Sequence, residues 1–256
     1  MPITYARGLT GRHRTTRANR HLGLALAFVA GATNAGGFLA VQQYTSHMTG
    51  IVSAMADNVA LGTYGLVWAG VGGLVSFVAG SACSAMLVNY GRRHEMHSEY
   101  ALPLLFEAFL LLCFGVLGAR LSQVEGFFVP LTVMLLCFIM GLQNAVITKL
   151  SRAEIRTTHI TGVVTDIGIE LGKLFYWNAT HRAGQSRVVA DRGRLAVLCG
   201  LAACFFIGGV IGALGFRHLG YLSTVALAGV LVTLASVPAF DDMAALARRW
   251  MKGVSD

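Results

Sequence analysis

The sequence predicts an all-α integral membrane protein, and three observations support that class. Of 256 residues, 55% are hydrophobic and only 12% charged, about half of the roughly 25% charged residues usual in soluble domains. Mean hydropathy is +0.64. The charges fall between long apolar runs rather than inside them, because lipid penalises charge at depth and accepts it at span ends.

The net charge of +8 could suggest nucleic acid, but no RNA- or DNA-binding motif accompanies it. Basic loops that hold the cytoplasmic ends of helices account for it, so the expected partner is the bilayer and not nucleic acid.

The elements follow in order. Residues 1–20 include most of "RGLTGRHRTTRANRH", a basic cytoplasmic segment with five Arg and no acid. The run 22–41 is about twenty residues long with no small-residue cleavage site after it, so it reads as a retained first span rather than a signal peptide. Spans are expected at 66–89, 101–119, 128–148, 194–216 and 219–238, and a cytoplasmic tail at 241–256. All lie in one transmembrane domain, 21–240.

Two segments, 48–62 and 159–175, are short for a crossing and carry ionisable groups: Asp57 in the first, Asp166 and Glu170 in the second. Both have helical periodicity. Met48, Val52, Met55 and Val59 form one apolar stripe, and Ile160, Val164, Ile167, Leu171 and Leu174 the other.

If both segments cross, there are eight spans, with fourteen of the 20 Lys and Arg inside and six outside. If both dip in and return, there are six spans, with eighteen inside and only Arg120 and Arg217 outside. The positive-inside rule favours six spans plus two re-entrant or broken helices, with eight full spans as the alternative.

The segments belong to a repeat, about 22–119 and about 128–238. "AGATNA" (30–35) matches "MGLQNA" (140–145) at Gly31/Gly141, Asn34/Asn144 and Ala35/Ala145. "HMTG" then matches "HITG", pairing His47 with His159, Thr49 with Thr161 and Gly50 with Gly162. With six spans each copy holds an odd number of crossings, so the copies are inverted, a recurring plan of transporters.

Irregular backbone survives in a bilayer only where protein or a hydrated cavity satisfies it. Ser46 and Thr158, or Thr49 and Thr161, are the expected N-cap hydroxyls, and the following Gly permits close approach. A helix starting there aims free N–H groups and partial positive charge inward, a cradle for a solute or anion. The expected substrate contacts are Asn34, His47, Thr49, Gly50, Asn144, His159, Thr161 and Gly162.

Asp57, Glu107, Asp166 and Glu170 stand in apolar surroundings at a cost of about 2.5–3.5 kcal/mol each at the bilayer centre. That cost implies either locking bonds within the bundle or a proton relay, and proton coupling is expected above all of Asp166 and Glu170. Gly208, Gly212 and the series Ser76, Gly80, Ser84 are expected to let helices pack closely. The five Cys lie in apolar stretches without CxxC spacing, and no phosphate-binding loop or nucleophile elbow is present. No disulfide, metal site, cofactor or enzymatic reaction is expected.

The strings "GATNAGGFL", "SHMTG", "GLQNA" and "RTTHITGVVTDIGIELG" resemble those of the YoaK family of uncharacterised bacterial inner-membrane proteins. The resemblance implies a multi-pass inner-membrane protein and names no substrate. The expected function is a small secondary transporter or channel-like carrier of a small solute or anion. The rival is a non-transporting scaffold or regulatory subunit, whose polar helices would form an oligomer or partner interface.

Overall fold

A computed structural model describes residues 16–96, 99–121, 128–150, 158–176, 187–236 and 240. The expected termini, 1–15 and 241–256, lie outside the described residues. The elements are α1 (Thr16–Val41), α2 (Met48–Ala60), α3 (Tyr64–Arg93), α4 (Ala101–Leu121), α5 (Phe128–Leu150), α6 (Ile160–Phe175) and α7 (Arg192–Leu219). A 3-10 turn at Gly220–Leu222 leads into α8, residues 223–236. No strand occurs among the described residues.

Helices α1, α3, α4 and α5 are each long and apolar enough to span a bilayer. The last apolar stretch, Arg192–Ser236, runs to 45 residues and is bent back at Gly220, whose φ of +59° only glycine adopts cheaply. Ser223 then packs on Gly215, so α8 turns back beside the end of α7.

Two pairs of helices make the frame, and in both the backbones touch. A Cβ at Gly31 would collide with the Phe205 carbonyl, and one at Gly208 with the Phe28 carbonyl. In the second pair, Gly80 takes the Phe138 carbonyl and Gly141 the Phe77 carbonyl in the same reciprocal way. Small residues that admit such contact are what hold helices together where lipid is as apolar as the side chains. Gly208 and Gly80 play the expected packing role, and so do Gly212 against Ala32 and the buried Ser84.

Chain directions follow from these contacts. Along α1 and α7, Leu24 meets Gly200, Ala32 meets Gly212 and Gly36 meets Phe216, so the two run parallel. Along α3 and α5, Gly72 faces Met134, Ser81 Oγ donates to the Gly141 carbonyl at 3.0 Å and Lys149 Nζ donates to Asn89 Oδ1 at 2.9 Å. They too are parallel. Between α1 and α5 the order reverses: Gln143 Nε2 donates to the Leu26 carbonyl at 3.3 Å, while Gly37 faces Leu136. The two repeats are therefore inverted.

This fixes how α2 and α6 lie. Helix α1 ends where the antiparallel α3 begins, so the intervening α2 enters and leaves at one end of the bundle. Met55 packs on Gly70 and Ile51 on Gly73, so α2 starts beside the middle of α3 and ends at its beginning. The turn between them uses Gly62 at φ +72°. Helix α6 lies against α7 in the same manner. At 13 and 16 residues, about 20 and 24 Å, neither would cross the ~30 Å hydrocarbon layer. Five stretches are long and apolar enough to span, the fifth being the bent Arg192–Ser236 stretch, and α2 and α6 are too short to add two full crossings. Arg92, Arg93, Lys149, Lys173, Arg192 and Arg194 flank helix ends on one side, and Arg120 and Arg217 flank the other.

The apolar stripes of the half-helices are split, with Met55 packed on α3 and Met48 and Ile160 on the cavity wall. Val52, Val59, Val164, Leu171 and Leu174 are exposed, while Ile51 and Val163 are buried.

Candidate functional site

The half-helices start at equivalent residues. The cap position is His47 in α2 and His159 in α6, and neither side chain makes a capping bond. This corrects the expectation of hydroxyl caps. Ser46 Oγ instead donates to Asn34 Oδ1 at 2.8 Å, and Thr158 Oγ1 donates to Asn144 Oδ1. The asparagines late in α1 and α5 thus tie down the chain just before each half-helix. Asn has the reach and the acceptor to do this from a helix facing inward.

The first intrahelical bonds are Ile51 N–H to His47 O at 3.1 Å and Val163 N–H to His159 O at 3.0 Å. The N–H groups of residues 48–50 and 160–162 therefore have no acceptor within their own helices. Glycine in the first turn has a local reason in both copies. A Cβ on Gly50 would strike the His47 ring, and one on Gly162 would sit 3.1 Å from His159 Nδ1.

Both helix starts open on one cavity of about 820 Å³. From the first repeat it is lined by Asn34, Ser46, His47, Met48 and Thr49, and from the second by Asn144, Thr158, His159, Ile160 and Thr161. Phe77 and Ser81 come from the middle of α3 and Phe205 from the middle of α7, which puts the cavity at mid-depth. Tyr44, Ala145 and Thr148 complete the wall. No lining residue is Asp, Glu, Lys or Arg. Of the eight expected contacts, six line the cavity. Gly50 and Gly162 lie one residue deeper in their helices, beneath the histidine rings.

The four carboxylates lie elsewhere, which corrects the expectation that they serve this site. Asp166 pairs with Arg194 at 3.0 Å. Glu170 is buried, accepts from Lys173 Nζ at 2.9 Å and from the Asp191 N–H at 2.9 Å. The Lys173 ammonium, then the Asp191 N–H, hold its carboxyl below the usual range. Asp191 is the cap of α7, so this pair of contacts fastens the end of α6 to the next helix. Asn58 does the same work in the first repeat, its Oδ1 accepting from Thr63 Oγ1 at 2.6 Å where Thr63 caps α3.

Asp57 is exposed on α2. Glu107 is fully buried in α4, and neither carboxyl oxygen has a partner among the described residues. All five Cys are free thiols, and no group of three His, Cys, Asp or Glu among the described residues could hold a metal.

Sequence reasoning missed Phe77, Phe205, Ser81, Tyr44 and Thr148. A signal for the two phenylalanines was present. The string F-x-x-G stands at 28–31, 77–80, 138–141 and 205–208, at each partner in the two crossings, and again at 206–209. The two copies at 77 and 205 carry the rings that wall the cavity.

Residues 22–237 match the family of proteins of unknown function DUF1275, and the chain belongs to that family. No curated protein and no solved structure matches it.

Proposed function

We propose that this DUF1275 chain is a small secondary transporter or channel-like carrier whose solute binds between the starts of α2 and α6. One observation carries the reading: helix starts from two inverted halves open on the same mid-depth cavity. Asn34, Asn144, His47, His159, Thr49 and Thr161 would contact the solute, with the free N–H groups of both first turns behind them. Inverted repeats let the gate on one side be rebuilt on the other, so alternating access needs only one half-helix at a time to part from its neighbours.

The resemblance to YoaK proteins supports placing it in a bacterial inner membrane, with the basic ends of the helices cytoplasmic. The function is binding and passage, without catalysis. Asp166 and Glu170 serve as fasteners of α6 in this reading, not as proton carriers.

Flux into liposomes holding the purified chain, screened over labelled small anions and neutral solutes, tests the proposal. Thr49→Val and Thr161→Val should each lower flux of the transported solute severalfold, whereas Asp166→Asn should largely retain it. Undiminished flux in both Val variants would remove the assigned site. If Thr161→Cys resists a water-soluble thiol reagent, a packed scaffold interface replaces the carrier reading.

A further inference from the structure

The reading just given leaves the solute's chemistry open, and the cavity wall constrains it. Donors that lack an acceptor among the described residues stand on that wall. The two asparagine Oδ1 atoms already accept from Ser46 and Thr158, and no carboxylate lines the wall. Hydroxyls and imidazoles on the wall can donate or accept, whereas its amide N–H groups can only donate. Asn34 is only 9% exposed, and its Nδ2 finds no acceptor among the described residues although the side chain lines the cavity. Asn144 Nδ2 gives one hydrogen to the Met140 carbonyl at 3.0 Å and keeps the other. A ligand that accepts from these amides takes the place of solvent, a net gain of about 0.5–1.5 kcal/mol for each bond and more where the acceptor is charged.

The charge is equally telling. Each helix start carries about +0.5 of an elementary charge, and the two together come to roughly one unit. No Lys or Arg adds to this. The two helix starts together match one negative charge. The rest of the wall is apolar and paired by the repeat: Phe77 with Phe205, and Met48 with Ile160 at the first position of each half-helix. A volume near 820 Å³ falls in the range of small-molecule pockets and far exceeds what a bare halide needs.

We propose that the site selects small monocarboxylates: organic anions of single charge, with the carboxylate on the half-helix starts and Asn34 Nδ2, and an apolar body between Phe77 and Phe205. This rests on the central cavity being the solute site.

The test uses the full chain carrying Thr161→Cys, purified in detergent, with reaction of position 161 toward a water-soluble thiol reagent followed by mass spectrometry. Benzoate, benzyl alcohol, benzylammonium and sulfate are the protecting probes; the first three share one ring and differ in charge. Benzoate at roughly ten times its Kd should slow the reaction about tenfold, in proportion to the fraction of sites left empty, and the other three should not.

Asn34→Asp retains the size of the side chain and its acceptor for Ser46 while adding a negative charge. In that background benzoate should no longer protect. Protection by benzyl alcohol or benzylammonium equal to that by benzoate, protection by sulfate, or undiminished benzoate protection in Asn34→Asp would overturn the monocarboxylate assignment while leaving the cavity as a site. Failure of position 161 to react without any probe would instead overturn the carrier reading beneath it.

Discussion

At the residue scale, one type of side chain does different work according to its neighbours. Asn34 and Asn144 bind the hydroxyl just ahead of each half-helix, whereas Asn58 secures the cap of α3. Glu170 occupies the place in repeat two that Asn58 holds in repeat one, eleven residues after the cap histidine. Its charge therefore belongs to a fastening between α6 and α7. Because Lys173 and the Asp191 N–H favour the ionised form, the folded carboxyl loses its proton more readily than the unfolded one. The stability it adds is complete above the unfolded value of about 4.3 and is lost as pH falls below it. Glu170→Gln should melt below the parent at pH 7, and the gap should close as pH drops under about 4. A gap that persists or widens in acid, read by thermal unfolding in detergent, would contradict the ion-pair role.

At the element scale, the frame depends on two crossings where backbone meets backbone. Gly141 has the Phe77 carbonyl where a methyl would go, while Gly168 in α6 has nothing within 4 Å. Gly141→Ala should cost about 1–3 kcal/mol or more, because neither helix can give way without moving its other contacts. Gly168→Ala should be neutral or gain about 0.5–1 kcal/mol from reduced backbone entropy. Equal melting temperatures for the two variants would mean that the crossing does not hold the frame.

These elements also show what the sequence made legible. Spans 66–89 and 128–148 were readable because lipid demands unbroken apolar runs. The half-helices stood out because 48–62 and 159–175 are too short and too polar to cross. The caps misled: Ser46 and Thr158 have the right chemistry for capping, but a tertiary partner, the asparagine of the preceding helix, claims them first. The placing of the carboxylates at the cavity misled for a related reason. A carboxylate near a span end looks the same in sequence whether it faces a cavity or a basic neighbour, and Arg194 lies 28 residues from Asp166. Phe77 and Phe205 escaped notice because F-x-x-G marks the helix crossings, and only two of its copies border the cavity.

At the scale of the whole molecule, inversion is what brings the two half-helices together. Parallel copies would aim both starts in the same direction along the bundle; inverted copies let them meet at mid-depth from opposite ends. Each frame pair takes one helix from each repeat, α1 with α7 and α3 with α5, so the halves are interlocked rather than docked side by side. Each half-helix lies on the frame helix that follows it in the chain, α2 on α3 and α6 on α7, which places one on each frame pair with the cavity between them. The account rests on that meeting of helix starts, and cross-linking tests it most directly. In a chain carrying Thr49→Cys and Thr161→Cys, a short, water-soluble bifunctional thiol reagent should join the two positions in high yield. Thr49→Cys with Leu174→Cys, at the far end of α6, should not be joined. Failure of the first pair to join, with each cysteine reacting singly, would place the two helix starts in separate compartments and leave no common site for a solute.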